Sequence, residues 1–262
     1  MTAPPRILAI AGSDSSGGAG IQADIKTITL LSGYAMTAIT SVTAQNTLGV
    51  TAIEVLPSEL VAAQIDACLS DIGADAVKIG MLGSPGNAHA VAQALQSRGI
   101  PVVFDPVMVA TSGSALADDA TIAAFEPLMQ LATLITPNLP ELAALTGQPT
   151  GSLEEVAAAA DLLAQRYGCA VLAKGGHAEG DRVCDVLIDP ASRAASFEDP
   201  RIETRHTHGT GCTLSSAIAT LLGHGQTLEH AVRLARQYVR KALANAPGFG
   251  SGSGPLGHPA AG

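Results

Sequence analysis

Short apolar runs without polar alternation recur along the chain, each followed by a longer segment of helical pattern. This rhythm restricts the fold more than any other feature. The runs are ILAIAG (7–12), MTAITSV (36–42), VTAIEVL (50–56), AVKIG (76–80), PVVFDPV (101–107), TLITP (133–137) and AVLAKGG (170–176). Between them lie GIQADIKTITLLSG, SELVAAQIDACLSDI, GNAHAVAQALQSRG, SLEEVAAAADLLAQRYG and TLEHAVRLARQYVRKAL. Several start at Ser or Thr and stop at Gly, as capped helices do. A strand apolar on both faces must be covered on both, so the pattern predicts a mostly parallel sheet between two helical layers. VCDVLID (183–189) alternates and reads as an antiparallel or edge strand. In such a sheet the ligand sits at the carboxyl ends of the strands, which directs attention to the loops there.

With 262 residues and 47% of them apolar, one large domain with a sizeable core is expected. No linker, charge block or internal repeat divides the chain. The Gly/Pro-rich segment PGFGSGSGPLGHPAAG (247–262) reads as a mobile tail following a domain of residues 1–246. A net charge of 14 − 23 = −9 argues against a nucleic-acid or anionic-membrane surface. The start MTAPPRILAIAGSDSS has a six-residue apolar run and no cleavage pattern, so no signal peptide is expected, and no uncharged run approaches a membrane span. Cys68, Cys169, Cys184 and Cys212 are scattered without a C-x-x-C pair, which argues against zinc or a disulfide framework and for a reducing cytoplasm.

Three glycine patterns differ in weight. GSGPLG (252–257) follows no strand and opens no helix, so its match to G-x-G-x-x-G is accidental. GAGIQA (18–23) opens a helix, but GSDSSG separates it from the strand and no acidic residue follows the second strand to hold a ribose. No G-x-x-x-x-G-K-[ST] occurs. HGTGCT (208–213) is different in kind: Gly209 and Gly211 can turn successive N–H groups toward one point at a helix N-terminus. Such a nest suits a transferring phosphoryl group; the plain alternative is a tight turn capped by Thr210. Cys212, in the first turn beyond it, is open to reading as nucleophile, metal ligand, redox thiol, general base or packing.

Seven segments appear in one order: AGSDSSGGAGIQADIKT (11–27), TSVTAQNT (40–47), KIGMLGS (78–84), FDPVMVATSGSAL (104–116), TPNLPELAALTG (136–147), AKGGH (173–177) and HTHGTGCTLSSAIA (206–219). Together they resemble the hydroxymethylpyrimidine/phosphomethylpyrimidine kinases of thiamine biosynthesis, in the ribokinase superfamily, over residues 6–245. The resemblance implies a three-layer α/β/α fold without a separate lid domain, ATP with Mg²⁺, a homodimer, and two successive phosphorylations. The first acts on 4-amino-5-hydroxymethyl-2-methylpyrimidine, the second on its monophosphate.

The resemblance also implies residue roles. Gly209, Thr210, Gly211 and Cys212 form the catalytic turn. Lys174, Asn138 and Thr210 meet the nucleotide phosphates, and Asp105 and Glu141 serve Mg²⁺ through water. Gly12, Asp24, Gln45 and Met81 hold the pyrimidine, with the Gln45 amide suited to an aminopyrimidine edge. Each has a plainer reading. Asn138 and Glu141 could be a capping pair, Asp105 a cap to Thr111 or Ser112, Lys174 a snorkelling strand-end lysine, Met81 core packing, and Asp24 a charge steadying its helix. His177 and His208 receive no chemistry. Ser16 stands where relatives often have glycine, and Thr111 where they often have lysine.

Cys212 occupies the place where the wider superfamily puts an aspartate base. A helix N-terminus lowers a thiol's pKa, while a neighbouring phosphate opposes that. The expectation is an acceptor-side residue that matters more in the first phosphorylation, since the second acceptor is already an anion. A pyridoxal kinase is the nearest rival reading, a non-catalytic pyrimidine-binding regulatory module the rival from another class.

Overall fold

Strand β1 (Arg6–Asp14) lies near the centre of the sheet, and its side chains show why the chain needs two helical layers. Leu8 and Ile10 join one apolar cluster with Val77, Ile79 and Phe104, whereas Ile7 and Ala9 join a second with Ala76, Val103 and Leu134. Successive side chains of a strand point to opposite faces, so both faces are dry. The computed structural model describes residues 3–110, 113–177, 180–190 and 194–262.

The other strands are β2 (Tyr34–Asn46), β3 (Gly49–Val55), β4 (Ala76–Ile79), β5 (Val102–Phe104), β6 (Leu134–Ile135), β7 (Ala170–Ala173), β8 (Arg182–Ile188) and β9 (Ala195–Pro200). They form one nine-stranded sheet in the order β3-β2-β1-β4-β5-β6-β7-β8-β9. The six strands from β2 to β7 run parallel, while β3, β8 and β9 are antiparallel additions at the edges. Helices α1 (Gly20–Leu30), α8 (Thr210–Gly223) and α9 (Leu228–Ala244) cover one face. Among helices α2 (Ser58–Asp71), α3 (Pro85–Leu95), α4 (Asp119–Ala123), α5 (Glu126–Leu131), α6 (Leu139–Thr146) and α7 (Leu153–Tyr167), α2, α3, α5, α6 and α7 pack on the other.

The predicted three-layer architecture is the observed one, with VCDVLID antiparallel as expected. The boundaries differ. β1 runs past Gly12 through Ser13 to Asp14, and β2 continues to Asn46, so residues read as loop extend the sheet toward the ligand end. β9 escaped the reading because only Phe197 of ASFEDP is buried. The short helices α4 and α5 fall below the length at which a helical period is legible.

Residues 247–262, expected to hang free, instead return to the domain. Leu256, His258 and Ala261 are buried, His258 Nε2 lies 2.9 Å from Thr213 Oγ1, and the Gly257 N–H donates to the Ala242 carbonyl at 2.9 Å. The Ser253 N–H donates to the Thr47 carbonyl, and the Gly254 carbonyl accepts from the His208 N–H. The segment therefore bridges the β2–β3 turn and the loop before α8. Composition misled here because glycine and proline also permit close backbone packing: a Cβ on Gly252 or Gly257 would strike the carbonyl of Thr47 or Asn245.

Candidate active site

The turn before α8 is built on Gly209, the helix N-cap, at φ 83° and ψ 9°. A side chain there would be strained and would also strike the Gly18 carbonyl. The first helical hydrogen bond runs from the Thr213 N–H to the Gly209 carbonyl at 2.9 Å. The N–H groups of Gly211 and Cys212 precede it, at the positive end of the helix. Thr210 is committed elsewhere: its hydroxyl and its N–H both donate to the Thr207 carbonyl, at 2.7 and 3.2 Å. Its hydroxyl thus shapes the turn.

Facing that helix end is a charged cluster drawn from three strand ends. Asp105 follows β5 and is buried. Its Oδ1 accepts from Lys174 Nζ at 2.7 Å and from Thr136 Oγ1 at 3.1 Å. Lys174 follows β7, and its side chain keeps 15% of its surface exposed, enough to reach a ligand. Burial opposes the Lys174 charge, but Asp105 and Glu141 outweigh it and hold the ammonium above the ordinary lysine range. Gly211 looks onto this pair, since a Cβ there would lie 3.3 Å from Asp105 Oδ2 and 3.4 Å from Lys174 Nζ.

Asn138 and Glu141 do form the capping box at the start of α6. The Glu141 N–H donates to Asn138 Oδ1 at 2.9 Å, and the Asn138 N–H to Glu141 Oε2 at 2.8 Å. The cap and the cluster coexist, because the buried Glu141 also interacts with Lys174 and Asp105. Burial pushes its carboxyl up to about 7; Lys174 works against that rise and the Asp105 charge adds to it. Neither Thr111 nor Ser112, the suggested partners of Asp105, lies within the described residues, and the side chain of His177 is likewise outside them.

On the other side of Cys212, Asp24 is not where a pyrimidine contact was expected. It is fully buried, and both its oxygens accept from Lys78 Nζ on β4, at 2.9 and 2.8 Å. Ser216 Oγ donates to its Oδ1 at 2.7 Å. Three donated hydrogen bonds and full burial leave this carboxylate no exposed surface for a ligand's amine. Burial alone disfavours both charges, yet the bidentate contact with Asp24 holds Lys78 firmly protonated. Sequence reasoning passed over Lys78, although a lysine inside the buried four-residue strand AVKI is itself a signal.

Cys212 sits between these ion pairs. Burial pushes its thiol up to about 11, with Asp24 and Asp105 adding to the rise, while Lys78 and the Gly20 N–H pull it down. The lowering expected from the helix N-terminus is outweighed by desolvation. The resting side chain is a thiol.

The remaining expected contacts gather at the ends of β1 and β2. A Cβ on Gly12 would lie 2.7 Å from Ser41 Oγ and 3.1 Å from Met81 Sδ, so Gly12 and Met81 are neighbours. The Gln45 amide is held by Thr43 Oγ1, 3.1 Å from its Oε1, and by His208, whose Nε2 is 3.3 Å from Gln45 Nε2. His208 Nε2 also lies 2.8 Å from Asp14 Oδ2. Burial works against the Asp14 anion, but His208, Ser16 and the Ala19 N–H together hold its carboxyl at about 2. Ser16, a departure from the related pattern, thereby stabilises the loop: its N–H and hydroxyl each donate to Asp14 Oδ1 at 2.8 Å.

Among the described residues no group of three or more His, Cys, Asp or Glu side chains could hold a metal by itself. The first loop's amides are directed inward to Asp14, so the anion-binding end that remains is the start of α8, flanked by Lys174 and two carboxylates. That arrangement can bind a polyphosphate and set an acceptor beside Cys212.

The family model described as phosphomethylpyrimidine kinase matches residues 14–257. The hydroxymethylpyrimidine/phosphomethylpyrimidine kinase of Rhizobium meliloti is 47% identical over 255 residues, covering 96% of each chain. The thiamine biosynthesis multifunctional protein ThiED of Corynebacterium efficiens is 44% identical over 98% of this chain, which spans only 35% of that longer protein. Among solved structures, the pyridoxal kinase of Staphylococcus aureus in complex with pyridoxal superposes with a TM-score of 0.90 at 31% identity, covering 99% of this chain and 95% of that one.

Proposed function

The chain belongs to the phosphomethylpyrimidine kinase family, and from that premise we propose that it phosphorylates 4-amino-5-hydroxymethyl-2-methylpyrimidine and then the monophosphate, with ATP as donor, for thiamine biosynthesis. The observation that carries this reading is the α8 N-terminus flanked by Lys174, Asp105 and Glu141 on one side and by Cys212 on the other.

Each residue has a definable task. Lys174 pairs with the nucleotide phosphates, exchanging part of its contact with Asp105. Bare Gly211 lets the transferring group approach that pair, and the N–H groups of Gly211 and Cys212 receive its negative charge. In the first reaction the acceptor O–H bond breaks as the new O–P bond forms and the bond to the leaving diphosphate breaks. We assign the released proton to a phosphate oxygen or to Cys212 Sγ, the latter as the thiolate formed once the thiol has given its own proton to water, an ionisation that the Lys78 charge favours. In the second reaction the acceptor is an anion and releases no such proton. Gly12, Met81 and Gln45 hold the pyrimidine, the amide pairing with its amino edge.

Asp105 and Glu141 suit Mg²⁺, which binds through one or two carboxylates, waters and substrate phosphates rather than a full protein cage. A Glu141 carboxyl held near neutrality by burial and by the Asp105 charge is a group that a nearby cation would favour ionising. Bound there, Mg²⁺ would neutralise charge on the transferring phosphoryl group.

A homodimer fits the exposed β2–β3 hairpin, where Val42, Leu48, Ile53 and Val55 are exposed. Sedimentation velocity tests it. No described helix is long and apolar enough to cross a membrane, and the four free cysteines suit the cytoplasm.

The rival substrate is pyridoxine, favoured by the likeness to pyridoxal kinase. Side-by-side kcat/KM values for the pyrimidine alcohol and pyridoxine test the assignment. A clear preference for the pyrimidine is expected, and a preference for pyridoxine would overturn it.

A further inference from the structure

A lysine ammonium loses its hydration on burial, so fully buried lysines are rare. Lys78 is nevertheless 0% exposed, on a central strand that packs against α8. Asp24 from α1 grips it through both oxygens, and Ser216 of α8 donates to Asp24. Ser216 lies one helical turn beyond Cys212, so the pair is tied to the helix that carries the thiol. Gly80 leaves the ammonium its room, since a Cβ there would lie 2.8 Å from Lys78 Nζ.

The groups acting on Cys212 are Lys78 from β4, Asp24 and the Gly20 N–H from α1, and Asp105 after β5. Lys174, after β7, interacts with it as well. A buried ion pair contributes little more to stability than well-packed apolar side chains of the same volume. Folding alone therefore gives no reason for a charge at this position.

We infer that Lys78 is a positioning residue for the acceptor end: fixed by Asp24, its ammonium supplies the fixed positive charge that faces Cys212 and the acceptor oxygen beside it. Asp24 is then the holder of Lys78 rather than a pyrimidine contact. The inference rests on the reading of Cys212 as the acceptor-side residue.

Two double variants test it in the full chain. Lys78→Met with Asp24→Leu replaces the pair by apolar side chains, and Lys78→Gln with Asp24→Asn removes both charges while keeping hydrogen bonding. Each is examined by thermal unfolding and by steady-state kinetics on the pyrimidine alcohol. The expected result is a variant that melts within a few degrees of the parent. Its kcat for the first phosphorylation falls by about tenfold or more, with KM for ATP unchanged. Lys78→Arg, which keeps the charge, retains more activity than either. A folded double variant with the parent's kcat would overturn the inference. So would failure of both to fold, because the pair would then be a folding device. Should the parent phosphorylate pyridoxine and not the pyrimidine, the substrate assignment fails on its own, and the same comparison made on pyridoxine still decides the role of Lys78.

Discussion

His208 Nε2 lies 2.8 Å from Asp14 Oδ2, joining the end of β1 to the loop before α8 across 194 positions of sequence. One buried contact thus holds together the two halves of the site, and Gln45 leans on it.

Acid should expose this contact. The Asp14 carboxyl moves from an ordinary 3.8 to about 2, so its contribution is present above the unfolded value and is lost as pH falls from about 4 through 2. Asp14→Asn should lower stability by roughly 1–3 kcal/mol at neutral pH and flatten the loss of stability over that acid range. Urea unfolding at a series of pH values measures both.

The two glycines of the catalytic turn should fail differently. Gly209→Ala meets the Gly18 carbonyl and an unfavourable φ, so melting and activity should both fall. Gly211→Ala sits within the helix and meets only Asp105 and Lys174. It should melt like the parent and raise KM for ATP, which thermal unfolding and kinetics together can resolve.

Metal dependence should report on Glu141. Glu141→Gln removes a carboxylate from the Asp105–Lys174 cluster and should raise the Mg²⁺ concentration for half-maximal rate by roughly 10–100-fold. Titration of activity with Mg²⁺ at saturating ATP would show it, and an unchanged midpoint would remove Glu141 from the metal site.

Truncation after Ala246 should destabilise the protein if the terminal segment is structural. Leu256 alone buries apolar surface on the order of 1.5–3 kcal/mol, so a fall in Tm of several degrees is expected by differential scanning calorimetry. A truncated chain with the parent's Tm would restore the free-tail reading.

The layer order and the turn before α8 were legible in sequence because each depends on local pattern: unbroken apolar strands, capped helices, and glycines where no side chain fits. What was not legible depends on long-range pairing. Asp24 reads as a ligand contact until Lys78 arrives from β4, and the effect of the helix N-terminus on Cys212 cannot be weighed until its burial is known. Asn138 and Glu141 supported two readings at equal spacing; the structure shows the cap, and its glutamate borders the charged cluster. The terminal segment was misjudged because composition does not report which backbone a glycine will pack against.

Cys212→Ala separates the two reactions. Loss of the side chain whose thiolate takes the acceptor's proton should slow the first phosphorylation by about 10²-fold or more and the second much less. Equal losses in both steps, with unchanged substrate binding, would reduce Cys212 to shaping the pocket.

The most direct measurement incubates the chain with Mg²⁺, ATP and 4-amino-5-hydroxymethyl-2-methylpyrimidine and follows the products by mass spectrometry. The account predicts that the monophosphate appears first and is then converted to the diphosphate by the same chain. A pyrimidine left unmodified, or a monophosphate that accumulates without further conversion, would contradict it.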